Sequence, residues 1–142
     1  MTKKILVGVD GSSAAQEALS WVVNLAGCLD AKVIALHSLG LLASDYEGNI
    51  VPTEAHRNEI VQEFETSWCA SLVRGSVPFT PFVVDGAPVS AILVVAAEME
   101  VDMIVLGSRV HKVSSELLGS TSHQVAARAS CPVVIVPPPK QA

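Results

Sequence analysis

Short apolar blocks alternate with longer amphipathic stretches along the whole chain. The first block, residues 5–9, runs into the polar turn Asp10-Gly11-Ser12, and the apolar residues after the turn recur every three or four positions. This pattern predicts a strand followed by an amphipathic helix of about four turns. The apolar positions of that helix are Ala15, Ala18, Leu19, Val22, Leu25, Ala26 and Leu29.

The same alternation continues to the end of the chain. Four further strands are predicted at residues 32–36, 77–84, 102–106 and 133–136. Further helices are predicted to begin at about residue 53, at residue 88 and near residue 119. The helix from residue 53 is expected to turn one apolar face inward, made of Ile60, Val61, Phe64, Trp68 and Leu72. A looser stretch at residues 39–52 carries glycines and a proline.

Continuous, Val- and Ile-rich strands separated by helices predict an α/β fold, a three-layer doubly wound sandwich around a five-stranded parallel sheet. The third predicted strand contains Pro78 and Pro81, which cannot donate to a ladder, so this strand belongs at an edge. Right-handed crossovers then favour the strand order 3-2-1-4-5. Ligands bind such sheets at the carboxyl ends of the strands, here between strands 1 and 4. We expect one domain over residues 1–138 and a short tail over residues 139–142.

Composition narrows the classes of protein that the chain can be. A net charge of −5 and the lack of a Lys/Arg stripe argue against nucleic-acid binding. The longest clean apolar run, residues 91–97, is far shorter than the roughly 18–20 residues of a membrane span, and no signal-peptide pattern is present, so we expect a cytoplasmic protein. Three scattered cysteines and four histidines without ligand spacing predict neither a disulfide framework nor a metal site.

Four segments resemble the universal stress protein family. They are ILVGVDGS at residues 5–12, GAP at residues 86–88 with its apolar helix, residues 97–109 ending in DMIVLGSR, and LLGS at residues 117–120 running on to CPVVIV at residues 131–136. They cover nearly the whole chain in the family's order. The resemblance implies the Rossmann-like fold of the adenine nucleotide alpha hydrolases and a small regulatory function in the stress response.

In nucleotide-binding members of this family, the loop after strand 4 reads G-x-x-G, nine residues, then G-[ST]. Glycines let backbone N–H groups approach phosphate oxygens, and the helix start after the last glycine favours anions. The resemblance implies that ATP or another adenine nucleotide binds here, with magnesium only alongside it. The residues implied in binding are Gly8, Val9, Asp10, Ser38, Leu106, Gly107, Arg109, Gly119, Ser120, Thr121 and Ser122.

The phosphate loop departs from the family pattern at two points. Val110 stands where the second glycine belongs, and Gly119 follows Gly107 by twelve positions instead of thirteen. Valine strongly disfavours positive φ, whereas Arg109 offers charge in place of backbone amides. Two hypotheses therefore stay open: a nucleotide-dependent regulatory module, and a dimeric scaffold that binds no nucleotide and acts through protein partners.

Several of these residues also have a plain structural interpretation. Asp10 is equally suited to cap the first helix or to bond the turn after strand 1, and Ser120 to cap the last helix. His37, at the end of a buried strand, is expected to be a hydrogen-bonded structural residue. A phosphoacceptor receiver domain is disfavoured because no second acid follows Asp10 and no lysine follows strand 5 before Lys140.

The last strand and the lack of a catalytic motif complete the sequence-based expectations. An apolar edge made of Val133, Val134, Ile135 and Val136 invites pairing with a second copy, and the resemblance likewise implies a homodimer. The chain has no G-x-S-x-G elbow and no complete Walker A loop, so we expect no catalytic residues and no enzyme. The resemblance leaves open a slow ATP hydrolysis that accompanies binding, as in some relatives.

Overall fold

A five-stranded parallel sheet forms the centre of the molecule. The computed structural model describes residues 3–40, 43–44, 46–47, 50–51, 53–108 and 120–138. The strands, numbered along the chain, are β1 (Lys4–Gly8), β2 (Lys32–Ser38), β3 (Ala43–Ser44), β4 (Ile50–Val51), β5 (Phe79–Val84), β6 (Met103–Gly107) and β7 (Val133–Val136). The main sheet has the order β5-β2-β1-β6-β7 with every pair parallel. The predicted order 3-2-1-4-5 is therefore confirmed, with the proline-bearing strand at an edge.

Helices connect these strands, and one of them differs from the prediction. The helices are α1 (Ser13–Leu29), α2 (Glu54–Glu63), a π-helical turn (Phe64–Trp68), α3 (Ala70–Arg74), α4 (Pro88–Glu98) and α5 (Ser120–Arg128). The single helix predicted from residue 53 is thus broken by the π-helical turn. Ile60, Val61 and Trp68, expected to face inward, are only half-buried. The small antiparallel hairpin of β3 and β4 was not predicted either.

Two apolar cores cover the two faces of the sheet, as the alternation of side chains along each strand requires. On β1, Ile5 and Val7 belong to the core beneath α1, the π-helical turn and α3. Leu6 belongs to the other core, beneath α4 and α5. All three side chains are at most 1% exposed. The predicted three-layer sandwich is confirmed, and no helix within the described ranges has both the length and the apolarity needed to span a bilayer.

The turn between β1 and α1 is built from two side-chain hydrogen bonds. The N–H of Ser12 donates to Oδ1 of Asp10 at 3.0 Å, and the N–H of Ala15 donates to Oγ of Ser12 at 3.1 Å. Ser12 is therefore the N-cap of α1, while Asp10 forms an Asx turn that leads into the helix. Two structural roles are expected for Asp10, capping the first helix and bonding the turn after β1. The structure shows Asp10 bonding the turn.

Replacing the N-cap residue of α1 should lower the free energy of unfolding. Ser12→Ala leaves an amide of the first turn without its acceptor, which costs about 1 kcal/mol of unfolding free energy. Ser20→Ala, on the exposed side of the same helix, is the matched control and should change stability by less than about 0.5 kcal/mol. Urea unfolding of both variants measures the difference, and equal midpoints would contradict the assignment of the cap.

Candidate functional site

The carboxyl ends of β1, β2 and β6 meet at one edge of the sheet. Beyond the strand ends, the N–H of Val9 still donates to the carbonyl of Leu36 at 2.8 Å, and the N–H of Ser108 donates to the carbonyl of Val136 at 2.9 Å. After β1 the chain crosses to β2, which lies on one side of the β1–β6 pair. After β6 it crosses to β7, which lies on the opposite side. The topological switch point, where doubly wound sheets open a crevice for ligands, therefore lies between the carboxyl ends of β1 and β6.

Two of the helices that begin at this edge, α1 and α5, approach Gly107. A Cβ atom on Gly107 would lie 2.2 Å from the carbonyl oxygen of Ala14, so the first turn of α1 lies directly against β6. Ser122, in the first turn of α5 and 5% exposed, donates its hydroxyl to the carbonyl of Gly107 at 3.2 Å. The amino end of a helix carries partial positive charge, so this edge of the sheet favours an anionic group.

Four of the residues implied in binding have their side chains engaged within the protein. Val9 and Leu106 are 2% and 5% exposed and belong to opposite cores, so each offers a ligand only its backbone. The hydroxyl of Ser38 donates to the carbonyl of Gly86, and the hydroxyl of Ser122 is held by Gly107. Ser38 thereby links the end of β2 to the loop after β5, and Ser122 links α5 to the end of β6.

The remaining implied residues fall into two groups. Gly8, Asp10, Ser120 and Thr121 lie at the same carboxyl edge, where Asp10 is exposed and Thr121 is half-buried in the first turn of α5. A Cβ atom on Gly8 would come within 2.7 Å of Cδ2 of Leu106, so Gly8 keeps β1 close to its neighbours. Arg109, Val110 and Gly119 lie outside the described residues.

An aromatic cluster supports the β1–α1 turn from below. His37 hydrogen-bonds through Nδ1 to the carbonyl of Val9 at 2.7 Å, so this nitrogen carries a proton and donates it. The imidazole stacks on Phe64 with centroids 6.0 Å apart and meets Trp68 edge-on at 5.0 Å. The prediction that His37 is a hydrogen-bonded structural residue is confirmed. The closeness of Trp68 to the site was missed, because helical spacing placed this residue in the core.

An ion pair fixes the far side of the same edge. Nη1 of Arg57 in α2 lies 2.6 Å from Oδ1 of Asp85, which directly follows β5. Its hydrogen bond and positive charge hold the pKa of Asp85 below the ordinary value, and Asp85 in turn raises the pKa of Arg57. Beside this pair, the N–H of Gly86 donates to the carbonyl of Gly40 at 2.9 Å, which joins the loops after β2 and β5.

The Arg57–Asp85 pair predicts a pH dependence of stability. A carboxyl group with a lowered pKa in the folded state contributes stability above its unfolded pKa, near 4, and loses it as the pH falls through the folded pKa. Asp85→Asn should therefore lower the urea midpoint slightly at pH 7, and the difference from the unaltered protein should vanish at about pH 2. Equal midpoints at pH 7 would show that the pair contributes nothing.

Two of the three thiols, those of Cys69 and Cys131, have a raised pKa. Burial, aided by the charge of Glu65, raises the pKa of Cys69 to about 11. Burial and the charge of Asp102 also raise the pKa of Cys131. Both thiols therefore stay protonated near neutral pH, whereas a nucleophilic cysteine needs a lowered pKa. Within the described part of the chain, no three His, Cys, Asp or Glu residues come together as a metal site.

Comparisons with known proteins agree with this architecture. The model of the universal stress protein family matches residues 1–137. Universal stress protein YxiE of Bacillus subtilis is 32% identical over 148 aligned positions that cover 96% of this chain and 99% of the relative. A universal stress protein of Thermus aquaticus is 31% identical over 137 positions, again covering 96% and 99%.

Solved structures show the same fold. The universal stress protein of Archaeoglobus fulgidus superposes with a TM-score of 0.75 at 19% identity, covering 96% of this chain and 94% of that one. A universal stress protein in complex with cAMP superposes with a TM-score of 0.69 at 26% identity, covering 97% and 98%. With a family match over nearly its whole length and relatives above 30% identity, the chain belongs to the universal stress protein family.

Proposed function

We propose that this universal stress protein binds an adenine nucleotide between the carboxyl ends of β1 and β6 and acts as a nucleotide-dependent regulatory module. The observation that carries the proposal is the meeting of the α1 and α5 amino ends at Gly107, beside the exposed Asp10. This arrangement places anion-favouring backbone and an acidic acceptor at the same crevice.

Each part of the crevice would do a different task. The first turn of α5, with Ser120 and Thr121, would hold the phosphates together with Gly107 and with Arg109 and Gly119 of the following loop. Asp10 would accept hydrogen bonds from the ribose hydroxyls. The backbone at Gly8, Val9 and Leu106, with the end of β2 at Ser38, would enclose the base. Magnesium would bind only with the phosphates.

A relative and a physical feature support this proposal. The universal stress protein whose crystal structure contains cAMP is 26% identical to this chain over almost its whole length. The hydroxyl of Ser122 ties the first turn of α5 to Gly107 at the end of β6, and so holds this side of the crevice in place before a ligand arrives. Preorganisation of this kind lowers the cost of binding. We further propose binding without turnover, because the sequence offers no G-x-S-x-G elbow and no complete Walker A loop.

Native mass spectrometry and calorimetry test the proposal directly. The purified protein is titrated with ATP and magnesium, and separately with AMP and cAMP, to 1 mM, which corresponds to roughly −4 kcal/mol of binding free energy. We expect one adenine nucleotide per chain, and Asp10→Asn should weaken binding, whereas Ser20→Asn on the exposed side of α1 should not. If none of the three nucleotides binds, the proposal that the chain with its natural loop binds an adenine nucleotide is contradicted.

The departure of the phosphate loop from the family pattern supplies a matched variant. Val110→Gly together with one residue inserted before Gly119 restores the motif. If the crevice is otherwise intact, this variant should bind ATP at least about tenfold more tightly than the natural chain, a gain of roughly 1.4 kcal/mol. If the variant with the restored motif still binds no ATP, the result would favour the second hypothesis, a scaffold that works through protein partners.

We also propose a homodimer formed through β7. This strand ends the sheet, and its residues Val133, Val134 and Ile135 are only half-buried. The carbonyls of Pro132 and Val136 accept from β6, so even-numbered residues direct their backbone towards β6 and odd-numbered ones, such as Ile135, direct it outward. An outward row of N–H and C=O groups pairs readily with a symmetry mate.

Light scattering tests the dimer. We expect twice the chain mass of 14.9 kDa at micromolar concentration. Ile135→Pro removes an outward donor while sparing the bonds to β6 and should shift the mass towards the monomer. Val83→Pro on the opposite edge strand is the matched control and should leave the mass unchanged. The carbonyls of Pro78 and Val84 accept from Val33 and Leu39, so residue 83 also directs its N–H outward. A monomeric natural chain would refute the dimer.

A further inference from the structure

The π-helical turn changes which residue faces the core. The N–H of Cys69 donates to the carbonyl of Phe64 at 3.0 Å, five positions back. In an uninterrupted α-helix, positions 64, 68 and 72 would share one face, each about 40° from the next. Here the fully buried residues are instead Phe64, Cys69 and Leu72. The extra residue in the turn therefore gives the core position to Cys69 and moves Trp68 to the rim.

At the rim, the indole of Trp68 lies against the β1–α1 turn. A Cβ atom on Gly11 would lie 2.6 Å from Cε2 of the indole and 2.7 Å from Cζ2. Gly11 has a φ of +80°, which a side chain rarely tolerates. The ring thus occupies the space that a side chain at position 11 would fill, and it does so beside a backbone conformation that only glycine adopts freely.

Two further contacts attach the same residue to the site. The side-chain amide of Gln16, in the first turn of α1, donates to the carbonyl of Trp68 at 3.0 Å. The ring of His37 meets the indole edge-on and itself donates to the carbonyl of Val9. The end of β1, the turn and the first turn of α1 are therefore all held by one residue and its ring partner.

From these contacts we infer that Trp68 is a positioning residue of the ligand site. The indole keeps the Asp10–Ser12 turn in one conformation, with the Asp10 carboxylate and the amino end of α1 at the crevice. The part that concerns ligand affinity rests on the proposed nucleotide binding. The part that concerns the turn does not, so the two can fail separately.

Hydrogen exchange tests the turn without any ligand. In Trp68→Leu, the amides of Ala15 and Gln16, which depend on Ser12, should exchange at least about tenfold faster, while amides of β6 keep their protection. Trp21→Leu alters the other tryptophan, which is 37% exposed on α1, and should change neither set. Unchanged exchange at Ala15 and Gln16 in Trp68→Leu would overturn the inference.

Nucleotide titration then tests the consequence for binding. If loss of the ring leaves the turn competent in about a tenth of the molecules, the affinity of Trp68→Leu for ATP falls about tenfold. Trp68→Tyr, which keeps an aromatic ring against Gly11, should recover most of that loss, and Trp21→Leu should bind like the unaltered protein. Equal affinity in Trp68→Leu and the unaltered protein would refute the coupling to the ligand.

Fluorescence separates positioning from a merely structural role. In a Trp21→Phe protein, Trp68 is the single tryptophan, and its emission should shift when ATP fills the crevice. Emission that stays constant while calorimetry shows binding would contradict the proposed coupling of the Trp68 ring to the ligand site. Should the unaltered protein bind no nucleotide, the exchange measurement still decides the role of Trp68. Trp68→Phe replaces Trp68→Leu in that measurement if the leucine variant does not fold.

Discussion

Gly107→Ala should lower the free energy of unfolding by about 3 kcal/mol or more, because overpacking against rigid backbone is costly. The new methyl group would lie 2.2 Å from the carbonyl oxygen of Ala14 and 2.4 Å from its carbonyl carbon. No rotamer change relieves a contact with backbone, so α1 would have to move away from β6. Such a shift would also displace the turn that holds Asp10.

A glycine within α1 provides the control. Gly27 lies in the helix, and a Cβ atom added there would meet nothing within 4 Å, so Gly27→Ala should raise stability by about 0.5–1 kcal/mol through helix propensity. Urea denaturation followed by circular dichroism gives both values. If Gly107→Ala is as stable as the unaltered protein, the glycine serves only a ligand, and the close packing of α1 on β6 is wrong.

Phe64→Ala should destabilise the protein by about 3–5 kcal/mol, the usual cost of emptying a buried phenyl site. The ring is 0% exposed, belongs to the core beneath α1 and contacts the rings of His37 and Trp68. Its removal leaves a cavity that those two rings cannot fill without leaving the β1–α1 turn. Thermal and urea unfolding measure the loss.

The exposed Val73 in α3 serves as the matched control for that experiment. Its side chain is 62% exposed, so Val73→Ala should change stability by less than about 0.5 kcal/mol. Phe64→Leu, which keeps most of the apolar volume, should fall between the two. A Phe64→Ala protein as stable as Val73→Ala would mean that the π-helical turn does not hold this ring in the core.

Apolar periodicity was sufficient to predict the sheet. The order of the strands follows from alternating strand and helix patterns and from Pro81, which can lie only at an edge. Strand ends moved by a residue or two: the predicted strand at residues 77–84 begins at Phe79, and the one at residues 102–106 became Met103–Gly107. Hydrogen bonding to neighbouring strands sets where a strand ends, and one sequence does not display those bonds. The prediction therefore missed the strand ends by these small shifts.

The details of the site depended on contacts between distant parts of the chain. The hydroxyl of Ser38 donates to a carbonyl in the loop after β5, 48 positions further along the chain. No local sequence pattern predicts this partner. The π-helical turn was missed for a related reason, since Phe64, Trp68 and Leu72 fit an ordinary helix equally well. Trp68 and Cys69 compete for one position in the core that packs on β1 and β2. Cys69 takes this position, and the helix accommodates it through the extra residue of the π-helical turn.

The two edges of the sheet are unlike each other, and this limits how copies of the chain can assemble. β5 carries Pro81, which offers no N–H, whereas β7 carries no proline. If β7 pairs with another β7, the outer strands of the joined ten-stranded sheet are both β5, and in each of them Pro81 interrupts the outward row of N–H donors. Association by this route would therefore stop at two subunits, and the same asymmetry would disfavour growth into a fibre.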